Sequence, residues 1–162
     1  MGEIKQYTQD DCVAINQFME KYFPNSPDAI TKRSRTDIYF RWKYGPNHFG
    51  KPIMFTYWES IELLGTFGAI PEPLAIRGNK VLAYQLTDAF VAPKMHGKGI
   101  FGQLANLVYK EIDKRSDICF GLGTVTLAVS KILEDWNTWY IPVIIFYSVW
   151  AITKGIVKLW RG

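Results

Sequence analysis

The stretch from Val81 to Ile112, VLAYQLTDAFVAPKMHGKGIFGQLANLVYKEI, constrains the fold more than any other part of the chain. An apolar, β-type segment ends at Val91, and Pro93 breaks it. A short basic turn follows, Lys94-Met95-His96-Gly97-Lys98-Gly99. A helical pattern then starts at once, with Ile100, Leu104, Leu107, Val108 and Ile112 on one face. Strand, turn and helix N-terminus in that order suit a phosphate. The first amides of a helix have no partner within it, and the aligned peptide dipoles place partial positive charge there. Gly97 and Gly99 lack a Cβ, so backbone can come close to a ligand, while Lys94 and Lys98 add mobile positive charge. The same glycine spacing also serves as an ordinary turn closing a βα unit, and that reading stays open. The P-loop pattern is absent, because no Gly-Lys-Ser/Thr follows four spacer residues.

Around this stretch the pattern predicts a strand at Ile4–Tyr7 and a Thr8-capped helix over Gln9–Tyr22. A second helix is expected over Arg35–Tyr44, stopped by Gly45-Pro46. Strands follow at Pro52–Trp58 and Leu63–Ile70. Pro71 and Pro73 then interrupt, Leu74–Arg77 is a further short pairing segment, and Gly78-Asn79 a turn. Val81–Val91 is the long central strand, Gly99–Lys114 a helix, and Ile118–Gly121 a short strand. The order is β-α-α-β-β-β-α-β around one sheet.

A chain of 162 residues suits one domain with a real core, and 48% apolar residues exclude global disorder. The net charge of +4 fits an anionic small ligand but not nucleic acid, whose binders cluster their basic residues more densely. Lys32-Arg33-Ser34-Arg35 reads as a solvated loop. Cys12 and Cys119 form no CxxC, and His48 and His96 give no metal-ligand spacing beside them. Both cysteines read as buried thiols, which with the lack of an apolar N-terminal run leads us to expect a reducing, cytoplasmic setting.

Phe90-Val91-Ala92-Pro93, then His96-Gly97-Lys98-Gly99-Ile100-Phe101-Gly102-Gln103-Leu104, resembles the acetyl-CoA signature of the GNAT acetyltransferase superfamily. That signature is a hydrophobic strand, a Pro, then Arg/Gln-x-x-Gly-x-Gly/Ala opening a helix. Phe40-Arg41-Trp42-Lys43-Tyr44 and Asn47-His48-Phe49-Gly50-Lys51-Pro52 resemble a bacterial subgroup of GNAT-like proteins. The resemblance runs over roughly residues 3 to 121. It departs at Lys94, where Gln or Arg is usual, at His96, where Arg often stands, and at Phe120-Gly121-Leu122-Gly123, where the subgroup often carries Pro-Asn.

The resemblance implies an α+β, GNAT-like mixed sheet flanked by helices, with residues 1–145 as an acyl-CoA-binding domain. It implies acetyl-CoA as cofactor, held by Phe90, Val91, Met95, His96, Gly97, Lys98, Gly99, Ile100 and Phe101. A backbone N–H in Ala89-Phe90-Val91 would polarise the thioester. Asp88 on the same strand would take the proton of an amine acceptor, a small molecule or peptide; it reads equally as a surface or turn-stabilising carboxylate. Glu72 is a weaker candidate base. The family often supplies a Tyr as general acid from the helix after the fifth strand, but Thr124–Glu134 contains none, and Tyr140 and Tyr147 come later. The aromatic residues Tyr39, Phe40, Trp42, Tyr44, Phe55, Tyr57 and Trp58 read as core, with some lining an acceptor pocket.

Trp139–Ile145 reads as an apolar strand, and residues 146–162 as an amphipathic tail with Phe146, Val149, Trp150, Val157 and Trp160 on one face and Lys154, Lys158 and Arg161 on the other. Such a tail would dock on the domain, on a second copy in a homodimer, or on an anionic membrane surface. The expected function is acyl-CoA-dependent N-acetyl transfer. The alternatives are a catalytically weakened acyl-CoA-binding module and a membrane-peripheral protein.

Overall fold

A computed structural model describes residues 2–24, 37–116 and 118–121. Among them the chain runs through β1 (Glu3–Gln6), α1 (Cys12–Tyr22), α2 (Asp37–Lys43), β2 (Ile53–Glu59), β3 (Glu62–Ile76), β4 (Asn79–Val91), α3 (Ile100–Asp113) and β5 (Cys119–Gly121). The strands lie in that order in one sheet. β1 to β4 are antiparallel neighbours, and β5 joins β4 in parallel, so the architecture is a mixed α+β sheet as expected. The basic run at Lys32, the helix over Thr124–Glu134, the strand at Trp139–Ile145 and the tail 146–162 lie outside the described residues.

The two faces of the sheet can be read from β3. Successive strand residues point to opposite faces. A Cβ on Gly65 would meet Leu104 and Ile100 of α3, and the Phe67 ring lies 5.3 Å from that of Phe101. A Cβ on Gly68 would instead meet Tyr44, just beyond α2. Thus α3 covers one face, and the segment after α2 covers the other. Phe90 is register partner of Thr66, on the Tyr44 face, and its ring meets Phe23 from the end of α1 at 4.9 Å. The inward stripe of α3 is Ile100, Leu104, Ala105, Val108 and Ile112, close to the expected one. Leu104 and Val108 are fully buried, and each such side chain contributes about 1.5–3 kcal/mol through removal from water.

Two expectations need correction. The helix expected from Gln9 opens as a 3-10 turn, Gln9–Asp11, held by Thr8 N–H donating to Asp11 Oδ2 at 2.7 Å. More consequentially, Pro71 and Pro73 do not break the strand: β3 continues through both to Ile76. Pairing with β2 ends at Ile53↔Ala69, while pairing with β4 continues through Pro71↔Tyr84 and Pro73↔Leu82. Residues two apart present their amide positions on the same side, so both prolines lack a donor on the side that β2 has already left. The hairpin then closes at Arg77-Gly78, with φ of 50° and 82°, not at Gly78-Asn79. Two left-handed residues in a two-residue loop match the twist of the flanking strands.

Candidate active site

The site grows out of the end of β4. Phe67 of β3 faces an irregularity: Thr66 pairs with Phe90 and Gly68 with Thr87, so β4 carries an extra residue there. Asp88 sits in it with φ of 49°, a left-handed conformation that non-glycine residues adopt only when held. The holding contacts are visible. Thr66 Oγ1, itself buried, donates to Asp88 O at 2.8 Å. Tyr44 Oη donates to Asp88 Oδ2 at 2.6 Å, and Lys43 Nζ makes an ion pair with the same oxygen at 2.7 Å. Lys43 also donates to Thr87 Oγ1 at 2.8 Å. Burial, and after it the Asp88 charge, raises the Tyr44 phenol well above its ordinary value, so it stays a donor.

Beyond Asp88 the strand has an open side. β5 pairs with β4 only at Tyr84–Leu86, so among the described residues Thr87–Val91 has a strand neighbour on the β3 side alone. Ala92 N–H then donates to Leu64 O at 2.8 Å, and the chain turns through the 3-10 segment Pro93–Met95 into α3. Met95 and Ile100 are buried and anchor the turn at both ends, while His96 to Gly99 are exposed between them. The His96 ring lies with Nε2 3.0 Å from Val91 O; a carbonyl only accepts, so that nitrogen carries the proton.

The amides of this turn divide into two sets. Those of Met95, His96 and Lys98 are spent within it, on the carbonyls of Ala92, Pro93 and Met95. Those of Gly97, Gly99, Ile100, Phe101 and Gly102 make no hydrogen bond to a described residue. Gly97 and Gly99 have φ of 77° and 74°, and a Cβ at either would project into open space. Gly102 stands in the first turn of α3, three residues after Gly99, also with open space at its Cβ position. A concavity of unspent amides at the start of a 14-residue helix fits a phosphate group. Lys94, expected to supply mobile charge here, is committed elsewhere: its Nζ donates to Glu62 Oε2 at 2.6 Å. Glu62 also accepts from Lys21 and Tyr22, and these hydrogen bonds, Lys21 first, pull its carboxyl down to about 2.

Residues 3–126 match the family model for the GNAT acetyltransferase domain. The chain belongs to the GNAT acetyltransferase family. Its class of activity is therefore acyl transfer. No curated protein sequence matches it. Among solved structures, a GNAT-like fold similar to this one occurs in a predicted acetyltransferase with acetyl-CoA from Clostridium acetobutylicum, at 15% identity over 87% of this chain and 92% of that one, with a TM-score of 0.66. Glucosamine-6-phosphate N-acetyltransferase from Arabidopsis thaliana is 12% identical over 87% of this chain and 93% of its own, with a TM-score of 0.63. The aminoglycoside acetyltransferase AAC(6')-Iy, in complex with a bisubstrate analogue of coenzyme A, is 14% identical over 86% and 92%, with a TM-score of 0.62.

Within this GNAT domain the site residues from the sequence fall into three groups. Phe90 and Val91 lie on the open-sided end of β4, and Gly97, Gly99, Ile100 and Phe101 on the amide concavity. Met95 points into the core, and His96 and Lys98 offer side chains but not amides. Glu72 lies five positions beyond Phe67 along β3, about 16 Å from the Asp88 level at roughly 3.3 Å per residue, too far to share its chemistry. Of the aromatics, Phe40, Tyr44 and Tyr57 are core, but Trp42 is 75% exposed. Sequence reasoning missed Lys43 as a partner of Asp88, and read Tyr44 as a core or pocket-lining aromatic without its hydrogen bond to Asp88. A further cleft of about 700 Å³, lined by Tyr7, Gln9, Asn47 and Lys51, has Tyr44 in its wall. Tyr44 thus links that cleft to Asp88.

Proposed function

We propose that this protein transfers an acetyl group from acetyl-CoA to a primary amine, a small molecule or the end of a peptide. The observation that carries this reading is the amide concavity at the start of α3, set directly after a β4 edge that lacks a strand neighbour among the described residues. Acetyl-CoA, when bound, supplies an acyl group on a thiolate leaving group. The amides of Gly97, Gly99, Ile100 and Phe101 would hold its phosphates, and Lys98 would add charge. The open side of Thr87–Val91 offers main-chain groups to an extended ligand, as an edge strand does to a peptide. An N–H within Ala89-Phe90-Val91, on the side of β4 away from β3, would stabilise developing charge on the carbonyl oxygen. Asp88, fixed in its left-handed conformation, receives the amine proton. Phe90, on the Tyr44 face with Asp88, shapes the apolar wall beside it. A cytoplasmic, reducing setting suits Cys12 and Cys119, both free thiols. No helix among the described residues is long and apolar enough to cross a membrane.

The test has two steps. Coenzyme A at millimolar concentration raises Tm, because a ligand of the folded state stabilises it by mass action. Release of coenzyme A from acetyl-CoA then accelerates with members of a panel of primary amines. An unchanged Tm overturns cofactor binding. A raised Tm without turnover on any amine leaves an acyl-CoA-binding module in place of an enzyme.

A further inference from the structure

Lys43 is unlike the other ion-paired lysines of the described residues. Its side chain is 11% exposed, whereas those of Lys94, Lys5, Lys21 and Lys114 are 48% to 66% exposed. Its Nζ is held by the Asp88 carboxylate at 2.7 Å and Thr87 Oγ1 at 2.8 Å, with the Tyr39 and Tyr44 rings 5.6 Å and 5.8 Å away. A carboxylate, a hydroxyl and two aromatic faces form a cage for an ammonium group. The cage stands on the two β4 residues that directly precede Ala89-Phe90.

We propose that Lys43 is itself acylated by this protein: a primary amine of the chain occupying the place of the acceptor, with acyl-CoA as donor. The inference rests on the acyl-transfer reading above. The ammonium gives one proton to Asp88, and the freed Nζ lone pair attacks the thioester carbonyl. An N–C bond forms and the C–S bond breaks. The second nitrogen proton neutralises the departing thiolate. The products are Nε-acyl-Lys43 and coenzyme A, with the Asp88 proton passing to solvent. Selectivity comes from tethering, since an amine fixed beside the reacting centre escapes the entropic cost of a bimolecular encounter. Acylation also removes the cation from its pair with Asp88, leaving Tyr44 as the donor to that carboxylate.

The experiment incubates the full chain with isotopically labelled acetyl-CoA and follows label by peptide mass mapping, with coenzyme A binding measured in parallel by Tm. Lys43 gains one labelled acetyl group about tenfold faster, or more, than Lys21, Lys94 or Lys114, at a rate independent of protein concentration. Lys43→Arg carries no label at that position, and Asp88→Asn slows labelling. Acetylated protein shows a Tm displaced in the same direction as that of Lys43→Gln, which also lacks the charge. If coenzyme A raises Tm while Lys43 stays unlabelled, or is labelled no faster than the exposed lysines, self-acylation is refuted and the cofactor reading stands. If neither binding nor labelling occurs, both fall.

Discussion

Gly68 gives the sharpest handle on the Asp88 cluster. A Cβ added there falls on the Tyr44 hydroxyl and within 2.9 Å of Cζ and 3.0 Å of Cε1. Carbons pack at about 3.5–4.0 Å, so the ring must retreat by roughly 0.6 Å or more. The hydroxyl moves with it, off a hydrogen bond to Asp88 that is 2.6 Å long. Gly68→Ala therefore combines overpacking, about 1–3 kcal/mol, with loss of a hydrogen bond to a charged group, about 1.5–3 kcal/mol. Tyr44→Phe alone loses only the second. In the Tyr44→Phe background, Gly68→Ala has no hydroxyl to meet and no bond to break, so only the ring overlap remains. Urea denaturation of the four proteins closes a double-mutant cycle, with an expected coupling of about 1.5–3 kcal/mol. Additivity within about 0.5 kcal/mol would show that Gly68 is not what seats Tyr44 on Asp88.

Three other outcomes are expected. Gly97→Ala and Gly99→Ala each strain a left-handed residue by about 1–2 kcal/mol without any clash, and each shrinks the Tm rise caused by coenzyme A; an undiminished rise would remove the amide concavity from the binding site. Glu62→Gln tests the clasp with Lys21, Tyr22 and Lys94. The folded carboxyl lies at about 2 against an ordinary 4.5, so its contribution is complete above pH 4.5 and fades as pH falls toward 2; the variant's Tm should drop at neutral pH and vary less with pH inside that window. Asp88→Asn should lower turnover about 10²–10⁴-fold if this carboxylate is the base. It also leaves Lys43, 11% exposed, without its counter-charge, at roughly 3 kcal/mol of stability by urea denaturation. Wild-type turnover in a folded variant would return Asp88 to a structural role.

The strand, turn and helix from Val81 to Ile112 were legible because their signals are local: a proline after an apolar run, two glycines, then a 3.6-residue stripe. The path of β3 was not, because a proline's effect on a strand depends on which side its neighbour lies, and Pro71 has lost β2 before it is reached. Lys94 read as a free cation because Glu62 stands 32 residues away and leaves no periodic trace. Likewise Tyr44 and Asp88 are separated by 44 residues, and only the crossing of α2's end over the β4 irregularity brings them together. Asp88 could be singled out as a carboxylate beside the reacting strand end, but its left-handed conformation depends on a sheet register that one strand cannot reveal. Trp42 was misjudged because aromatic composition indicates burial on average and says nothing about which side of a seven-residue helix faces out.

The two prolines of β3 bear on how copies of this protein meet one another in a crowded cell. A hairpin reaching past its neighbouring strand presents a row of amides and carbonyls that an extended segment from another molecule could zip onto, and such edges seed sheet-to-sheet aggregation. Beyond Ala69 this flank of β3 has lost its donors at Pro71 and Pro73, so an incoming strand finds two missing rungs where continuous hydrogen bonding would begin. On this flank, among the described residues, the hairpin therefore offers an incoming strand no continuous template.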